Sequence, residues 1–461
     1  MRKKEQKYQF NPTILRAYDA RGIVGETLST EDAYYLGKSF GTFVIEQGKG
    51  KRICVGFDGR LSSPDLEEAL VKGLVTTGAE VIRVGLGPTP LLYFAVRNFE
   101  AAGGIMVTGS HNPPNHNGFK MMLDKLALYG DDIQQLGVIA AQGSFIEGSG
   151  SVTFEDIGRE YIKSLLLGFE PKDSELKIAW DAGNGAAGNA LRDLVPNLPG
   201  NHILINEIVD GTFPSHHPDP SVPENLQELI EVVKKEKCDI GFAFDGDGDR
   251  VGVIDENGDM VWVDQMLIIF ALDVLKRKPG STIIADVKTS QIVFDEIEKA
   301  GGKPLMWKTG HSLVKAKMAE LNSPFAGEMS GHIFFADHYG FDDGLYAAVK
   351  LFNIIAKSGL KLSQITQNIP KSFSTPEMRI DVEESRKFQI VEEIRKHLEE
   401  TDYKVNDIDG VRVKTDDGWW LVRASNTQAA LIARCESESE NGLENLKLLL
   451  KDQLNKSGVK I

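Results

Sequence analysis

Two short stretches place reactive groups where an apolar run stops. Thr108-Gly109-Ser110-His111-Asn112-Pro113-Pro114 follows Gly104-Ile105-Met106-Val107, and Asp245-Gly246-Asp247-Gly248-Asp249-Arg250 follows Asp239-Ile240-Gly241-Phe242-Ala243-Phe244. In the first, Gly109 allows a tight bend and the prolines stiffen the exit. Ser110 is then offered on a rigid turn at a strand end, where α/β proteins place chemistry, although alone the stretch also describes a surface turn. In the second, three carboxylates at alternate positions raise one another's pKa unless a cation neutralises them. Their oxygen ligands suit Mg²⁺, with Mn²⁺ next, and a preceding strand argues against an EF-hand. A serine oxygen, a divalent cation and the Arg250 guanidinium are the parts that phosphoryl transfer needs.

Further groups could complete such a site. Glu328 and Ser330, in Gly327-Glu328-Met329-Ser330-Gly331-His332, can accept hydrogen bonds from sugar hydroxyls. His311 and His332 sit in glycine-bounded turns and could contact phosphate or ring oxygens. Arg21, in a glycine-marked loop, and the run Arg423-Ala424-Ser425-Asn426-Thr427 offer guanidinium, hydroxyl and amide groups suited to phosphate. Each also reads as an ordinary polar turn.

The elements that must carry these loops alternate. Helix is expected over 29–46, 65–77 and from about 91, and strand over 53–57, 81–84 and 104–107. This is the pattern of βα crossovers and a mostly parallel sheet covered on both faces. The residues after Ser110 are expected to be loop. Asp58, Asp181 and Asp286 each close an apolar run and open a polar turn, which suggests three related units, although aspartates at such places also serve as helix caps. From about 372 the order changes: strand, helix, a hairpin turning at Asp417-Gly418 with a loop-borne Arg423 beyond it, and a last helix. The expected domains are 1–150, 151–256, 257–371 and 372–461, the last a small lid.

Composition narrows the class. A formal net charge of -15 argues against a nucleic-acid partner. The three cysteines are far apart and form neither a disulfide framework nor a zinc site. The first 13 residues lack a signal-peptide core and no run reaches membrane-spanning length, so a cytoplasmic protein is expected.

With these motifs in hand, the chain resembles the phosphohexomutase superfamily, in its bacterial phosphomannomutase/phosphoglucomutase branch, over nearly its whole length. Residues 108–114 match the family's phosphoserine loop, 245–250 its metal loop, 327–332 its sugar loop, and Arg423, Ser425, Asn426 and Thr427 its C-terminal phosphate loop. The resemblance implies three topologically related mixed-sheet α/β domains plus a smaller C-terminal α+β domain around a central cleft. It implies phosphate on Ser110, and Mg²⁺ held by Asp245, Asp247, Asp249 and the serine phosphate. Phosphoryl transfer between C6 and C1 of mannose phosphate, and of glucose phosphate, would run through a hexose 1,6-bisphosphate. It places Arg21 and Lys120 at the reactive phosphate, with Lys120 as acid or base and His111 aiding proton handling. Tyr18, Arg250, Lys288 and His311 would line the cleft, and Glu328, Ser330 and His332 would hold the sugar. Hexose phosphates are the implied partners, and no obligate protein partner is implied. Gln428 stands where the family often has proline, and Met329 argues against a hexosamine phosphate. A phosphosugar phosphatase and an inactive phosphosugar-binding protein are the alternatives.

Overall fold

In the computed structural model, residues 7–399, 401–426 and 428–460 are described. Three sheets share one plan. In the first, Arg52–Phe57 lies between Glu80–Leu86 and Gly103–Val107, parallel to both, and His116–Leu123 adds antiparallel to Gly103–Val107. In the second, Lys177–Asp181 lies between Asn201–Ile205 and Ile240–Phe244, and Val251–Asp255 adds antiparallel. In the third, Thr282–Asp286 lies between Lys303–Trp307 and Phe325–Gly327, and Ile333–Phe335 adds antiparallel. The serine loop, the acidic loop and the sugar loop are thus the same turn of the plan, between the third strand and its antiparallel return. The three aspartates stand at the end of the same strand, the first of each plan.

Local chemistry explains the elements. Ser29 caps helix Thr30–Glu46 with a reciprocal box through Asp32, which satisfies free backbone N–H groups of the first turn. The central parallel strands, Gly103–Val107, Lys177–Asp181 and Ile240–Phe244 among them, are short and almost wholly buried because helices cover their faces, whereas the edge strands Asn201–Ile205 and Lys303–Trp307 are mostly half-buried. One apolar cluster runs through the first three units, from Leu92 through Trp180 and Phe242 to Phe270 and Phe325, so their loops are held on a common core.

The sheets are mixed rather than mostly parallel. The first gains Ala20–Ile23 beyond His116–Leu123, both antiparallel to their neighbours. The expected loop after Ser110 is therefore short. Prolines and asparagines obscure the return strand, which carries Asn117 and Lys120. Ser151–Phe154, beyond the expected boundary at 150, pairs with Glu80–Leu86 as an edge of the first sheet. The glycines before it are tied down: Gly148 and Gly150 donate backbone hydrogen bonds to Thr76 and Val75. Likewise Met260–Val261, beyond the expected boundary at 256, pairs with Val251–Asp255.

The C-terminal sheet contains Phe373–Ser374, Met378–Asp381, Lys404–Asn406, Val411–Thr415, Gly418–Ala424 and Ala430–Ser437, all paired antiparallel. Helices Lys387–Leu398 and Glu440–Lys456 cover it over a separate core of Ile390, Ile394, Trp420, Leu446 and Leu450. Arg423 is not loop-borne. It lies in strand Gly418–Ala424, and the strand Ala430–Ser437 supplies the partner that extends the hairpin to it.

Candidate active site

Ser110 occupies a left-handed backbone conformation, φ 48°, unusual for a residue with a side chain. Its Oγ donates to Asp245 Oδ2 at 2.9 Å and lies 3.2 Å from His111 Nδ1. The two loops touch directly: a Cβ on Gly246 would fall 2.4 Å from the Ser110 carbonyl oxygen. The glycine therefore sets how near the acidic loop can approach.

The side chains of Asp245, Asp247 and Asp249 are fully buried and converge, each offering an oxygen within 4.8 Å of the others. Burial first, then the charges of Asp247 and Asp249, push the Asp245 carboxyl well above its ordinary range. Burial also works against ionised Asp247, but Lys120 and the Thr89 hydroxyl carry it below the ordinary value. Lys120 Nζ donates to Asp247 Oδ2 at 2.7 Å and also to Asp249. Despite burial, these carboxylates hold the ammonium above its usual pKa. Thr89 binds Asp247 through both its hydroxyl and its backbone N–H. Asp247 Oδ1 and Asp249 Oδ1 are buried without a hydrogen-bond partner. Hard, charged, convergent oxygens with free lone pairs fit a divalent cation.

The third unit joins this centre through Arg250, whose Nε donates to His332 Nε2 at 3.0 Å. That bond leaves the ring proton on Nδ1, which faces Asp342 Oδ2 at 3.0 Å and Asp249 Oδ1 at 3.5 Å. Lys315 donates to Asp342 at 2.7 Å. Lys315, with His332 and His311, keeps the Asp342 carboxyl well below its ordinary range against the effect of burial. His311 stacks on His332 with ring centres 5.5 Å apart, and Tyr18 meets His311 edge-on. Glu328 is buried and accepts from the Gly310 N–H at 2.5 Å; burial raises its pKa. Ser330 Oγ is buried with no partner.

In the C-terminal unit, Arg423 Nε donates to Asp409 at 3.0 Å, and Asp409 also accepts from the Thr309 N–H. Arg423 Nη2 is buried without a partner. Lys288 donates to Glu377 at 2.7 Å. Ser425 is buried at the end of the same strand, accepting from the Gln428 N–H, and Asn426 follows it half-buried. Thr427 lies outside the described residues. Arg21 is paired with Asp19 beside the serine loop. Burial, then the charges of Arg250, Arg21 and Lys120, hold the His111 imidazole well below its usual pKa.

Thr89, Asp342 and Lys315 reach this centre without having been singled out in the sequence. Nor were Arg412 and Arg434. Arg412 donates to the carbonyls of Val287 and Thr289 and stacks on Trp419, while Arg434 donates to the Lys288 carbonyl and lies against Met329 Sδ. Asp342-Asp343-Gly344 carried a weak signal, as acidic residues before a helix.

Four family profiles cover most of the sequence. They are phosphoglucomutase/phosphomannomutase alpha/beta/alpha domains I, II and III, at residues 12–144, 159–258 and 262–373, and the C-terminal domain, at 377–452. The phosphomannomutase/phosphoglucomutase of Pseudomonas aeruginosa is 43% identical over 443 residues, 96% of this chain and 95% of that protein. The chain belongs to the phosphoglucomutase/phosphomannomutase family. Within that family, the phosphoglucomutase of Neisseria gonorrhoeae is 44% identical over 94% of this chain and 95% of its own. The crystal structure of a phosphoglucomutase/phosphomannomutase family protein from Burkholderia thailandensis superposes with a TM-score of 0.90 at 41% identity, over 98% of each chain. The family membership accounts for three sheets of one plan followed by a fourth of another. Among the described residues, no helix is long and apolar enough to cross a membrane.

Proposed function

We propose that this chain interconverts hexose 6-phosphates and hexose 1-phosphates, those of mannose and of glucose, by way of a phosphoserine at Ser110. The observation that carries the reading is Ser110 Oγ, 2.9 Å from a buried carboxylate triad within a family of hexose-phosphate mutases. In the first half-reaction the phosphoryl group leaves Ser110 Oγ for the free hydroxyl of the bound sugar phosphate. That hydroxyl's proton is exchanged for one on the serine oxygen, and the product is a hexose 1,6-bisphosphate. In the second half-reaction the bisphosphate, turned end for end, returns its other phosphoryl group to Ser110. Atoms, charge and the starting enzyme are then restored.

Asp245, Asp247 and Asp249 would hold Mg²⁺, which when bound neutralises charge on the phosphoryl oxygens. Lys120, kept protonated by its carboxylates, is suited to donate a proton to the departing oxygen. Arg21 and Arg250 grip the reactive phosphate, and His111 assists proton handling beside Ser110. His311, Glu328, Ser330 and His332 orient the sugar, with Tyr18 against His311. Lys288, Arg423, Ser425, Asn426 and Thr427 hold the distant phosphate. The lid supplies a way to retain a ligand that must turn, and to keep water from the phosphoserine. The same feature disfavours the phosphatase reading. Three buried, unpaired cysteines fit the reducing cytoplasm.

The test is phosphorus NMR of glucose 1-phosphate and mannose 1-phosphate with trace bisphosphate and Mg²⁺. Conversion to the 6-phosphates is expected, with the mass of one phosphoryl group on Ser110 in the active protein. Release of inorganic phosphate instead would make the protein a phosphatase.

A further inference from the structure

The first unit contains a fully buried arginine that the chemistry above leaves without a role. Arg60 lies two residues beyond the strand-end Asp58, with none of its side chain exposed. Each of its five N–H donors meets an oxygen. Nε donates to Asp58 Oδ2 at 3.2 Å, Nη1 to the carbonyls of Pro113 and His116 at 2.6 and 3.0 Å, and Nη2 to those of Ser110 and Asn112 at 2.7 and 2.6 Å. Four of these five acceptors are backbone carbonyls of the serine loop and its exit.

The loop is shaped around this group. A Cβ on Gly109 would lie 2.4 Å from Arg60 Nε and 2.5 Å from Cζ, so only glycine lets the guanidinium in. Asp58 completes the grip from the other side, accepting from the Thr108 hydroxyl at 2.8 Å and the Gly109 N–H at 3.1 Å. Thr108 Oγ1 in turn accepts from the Ser110 N–H at 2.8 Å. Ser110 is therefore held at its N–H through Thr108 and Asp58, and at its carbonyl by Arg60. A strained left-handed residue persists only where its surroundings over-determine it.

The second unit closes over the same guanidinium. The Phe213 ring centre lies 5.1 Å from Arg60 Cζ, and Phe213 itself has φ 50°. The corresponding positions of the other two units, two residues beyond Asp181 and Asp286, are Gly183 and Lys288. Lys288 reaches Glu377 near the lid and does not turn back onto its own sheet's loop. Of the three units, the one whose loop bears Ser110 is the one with an arginine at this position.

We infer that Arg60 is a positioning residue for phosphoryl transfer. It fixes the serine loop so that Ser110 Oγ keeps its place against the carboxylate triad, and Phe213 locks it across the boundary between the first two units. The inference rests on Ser110 being the phosphoryl carrier. Lysine cannot substitute, because it has three donors on one nitrogen and no planar fork. Misplacing a reacting group by about 1 Å can cost roughly 100-fold in rate.

The test uses the full-length enzyme with Mg²⁺ and compares wild type, Arg60→Lys, Arg60→Ala, Phe213→Leu and Ser110→Ala. The folded Arg60→Lys protein is expected to lose about 100-fold in kcat, with KM for glucose 1-phosphate within about threefold of wild type. Free guanidinium ion should restore part of the Arg60→Ala rate, while sodium chloride of equal ionic strength should not. A wild-type kcat in Arg60→Lys overturns the inference. So does a rate loss that follows only the folded fraction, with no guanidinium rescue. Should both Arg60 variants be insoluble, Phe213→Leu decides, since it leaves all five hydrogen-bond partners in place. A fall in kcat at constant KM supports the inference, and an unchanged kcat overturns it. Failure of the underlying reading looks different: wild type would carry no phosphate on Ser110, or Ser110→Ala would turn over normally.

Discussion

The serine side of the site and the side formed with the C-terminal unit both concentrate cationic groups, but they satisfy them differently. Around Ser110, Arg60 spends four of its hydrogen bonds on backbone carbonyls, partners that no anion replaces without dismantling the loop. On the far side, Lys288 is held by Glu377 and Arg423 by Asp409, both side-chain carboxylates. A phosphate group also offers anionic oxygens that accept such charge-assisted hydrogen bonds. The first arrangement is a fixture and the second a set of exchangeable partners. A reaction that transfers at one place and must grip, release and regrip a turning ligand at another calls for both.

That contrast predicts that damage to the fixed side lowers kcat and damage to the exchangeable side changes KM. The largest effect should come from Ser110→Ala, which removes the proposed phosphoryl carrier and should lower kcat by about 10⁴-fold or more. Substantial turnover in that variant, measured after contaminating mutase is removed, would reassign the carrier. Next, chelation should abolish turnover and Mg²⁺ should restore it. Asp247→Asn should cost about 10²- to 10³-fold in kcat and raise the Mg²⁺ concentration needed for half-maximal rate. Titrations with Mg²⁺ check both, and full activity after exhaustive chelation would make the triad structural.

Glu328→Gln and Arg423→Ala should separate sugar from phosphate. Each loses a charged hydrogen bond worth about 1.5–3 kcal/mol, roughly a ten- to 150-fold effect. Glu328→Gln should alter the mannose-to-glucose ratio of kcat/KM. Arg423→Ala should weaken both sugars about equally and release more bisphosphate. Steady-state constants for both sugars, with isotope-labelled intermediate, read this out, and the opposite pattern would exchange the two roles. The smallest effect belongs to Glu377→Gln. Removing a carboxylate that competes for Lys288 should lower KM about two- to fivefold, consistent with about 1 kcal/mol for a partly exposed ion pair. An increase in KM would mean that Glu377 positions Lys288 rather than competing with the ligand.

The site was legible in the sequence where its parts are contiguous. Ser110 between glycine and histidine, and carboxylates separated by glycines at 245–249, announce their chemistry because neighbouring residues must serve one purpose. The related units were visible through Asp58, Asp181 and Asp286. The capping alternative was too narrow. Asp58 binds Thr108 and Gly109, Asp181 faces His216 at 2.9 Å, and Asp286 accepts from Thr309 and from the Met329 N–H, so each ties down a neighbouring loop. What the sequence hid depends on distance along the chain. Thr89 finds Asp247 158 residues away, and Arg434 finds Met329 105 residues away. Neither has local neighbours that mark it. The strand carrying Lys120 was hidden for another reason: two prolines and two asparagines at its entrance outweigh the apolar alternation that follows.

Lys120 also bears on how the first two units pack together. Three carboxylates sealed from water with nothing opposite them would oppose the packing of the second unit against the first. The ammonium resting on Asp247 and Asp249 relieves that repulsion from within. Without that ammonium, the repulsion would fall on the packing of the second unit against the first.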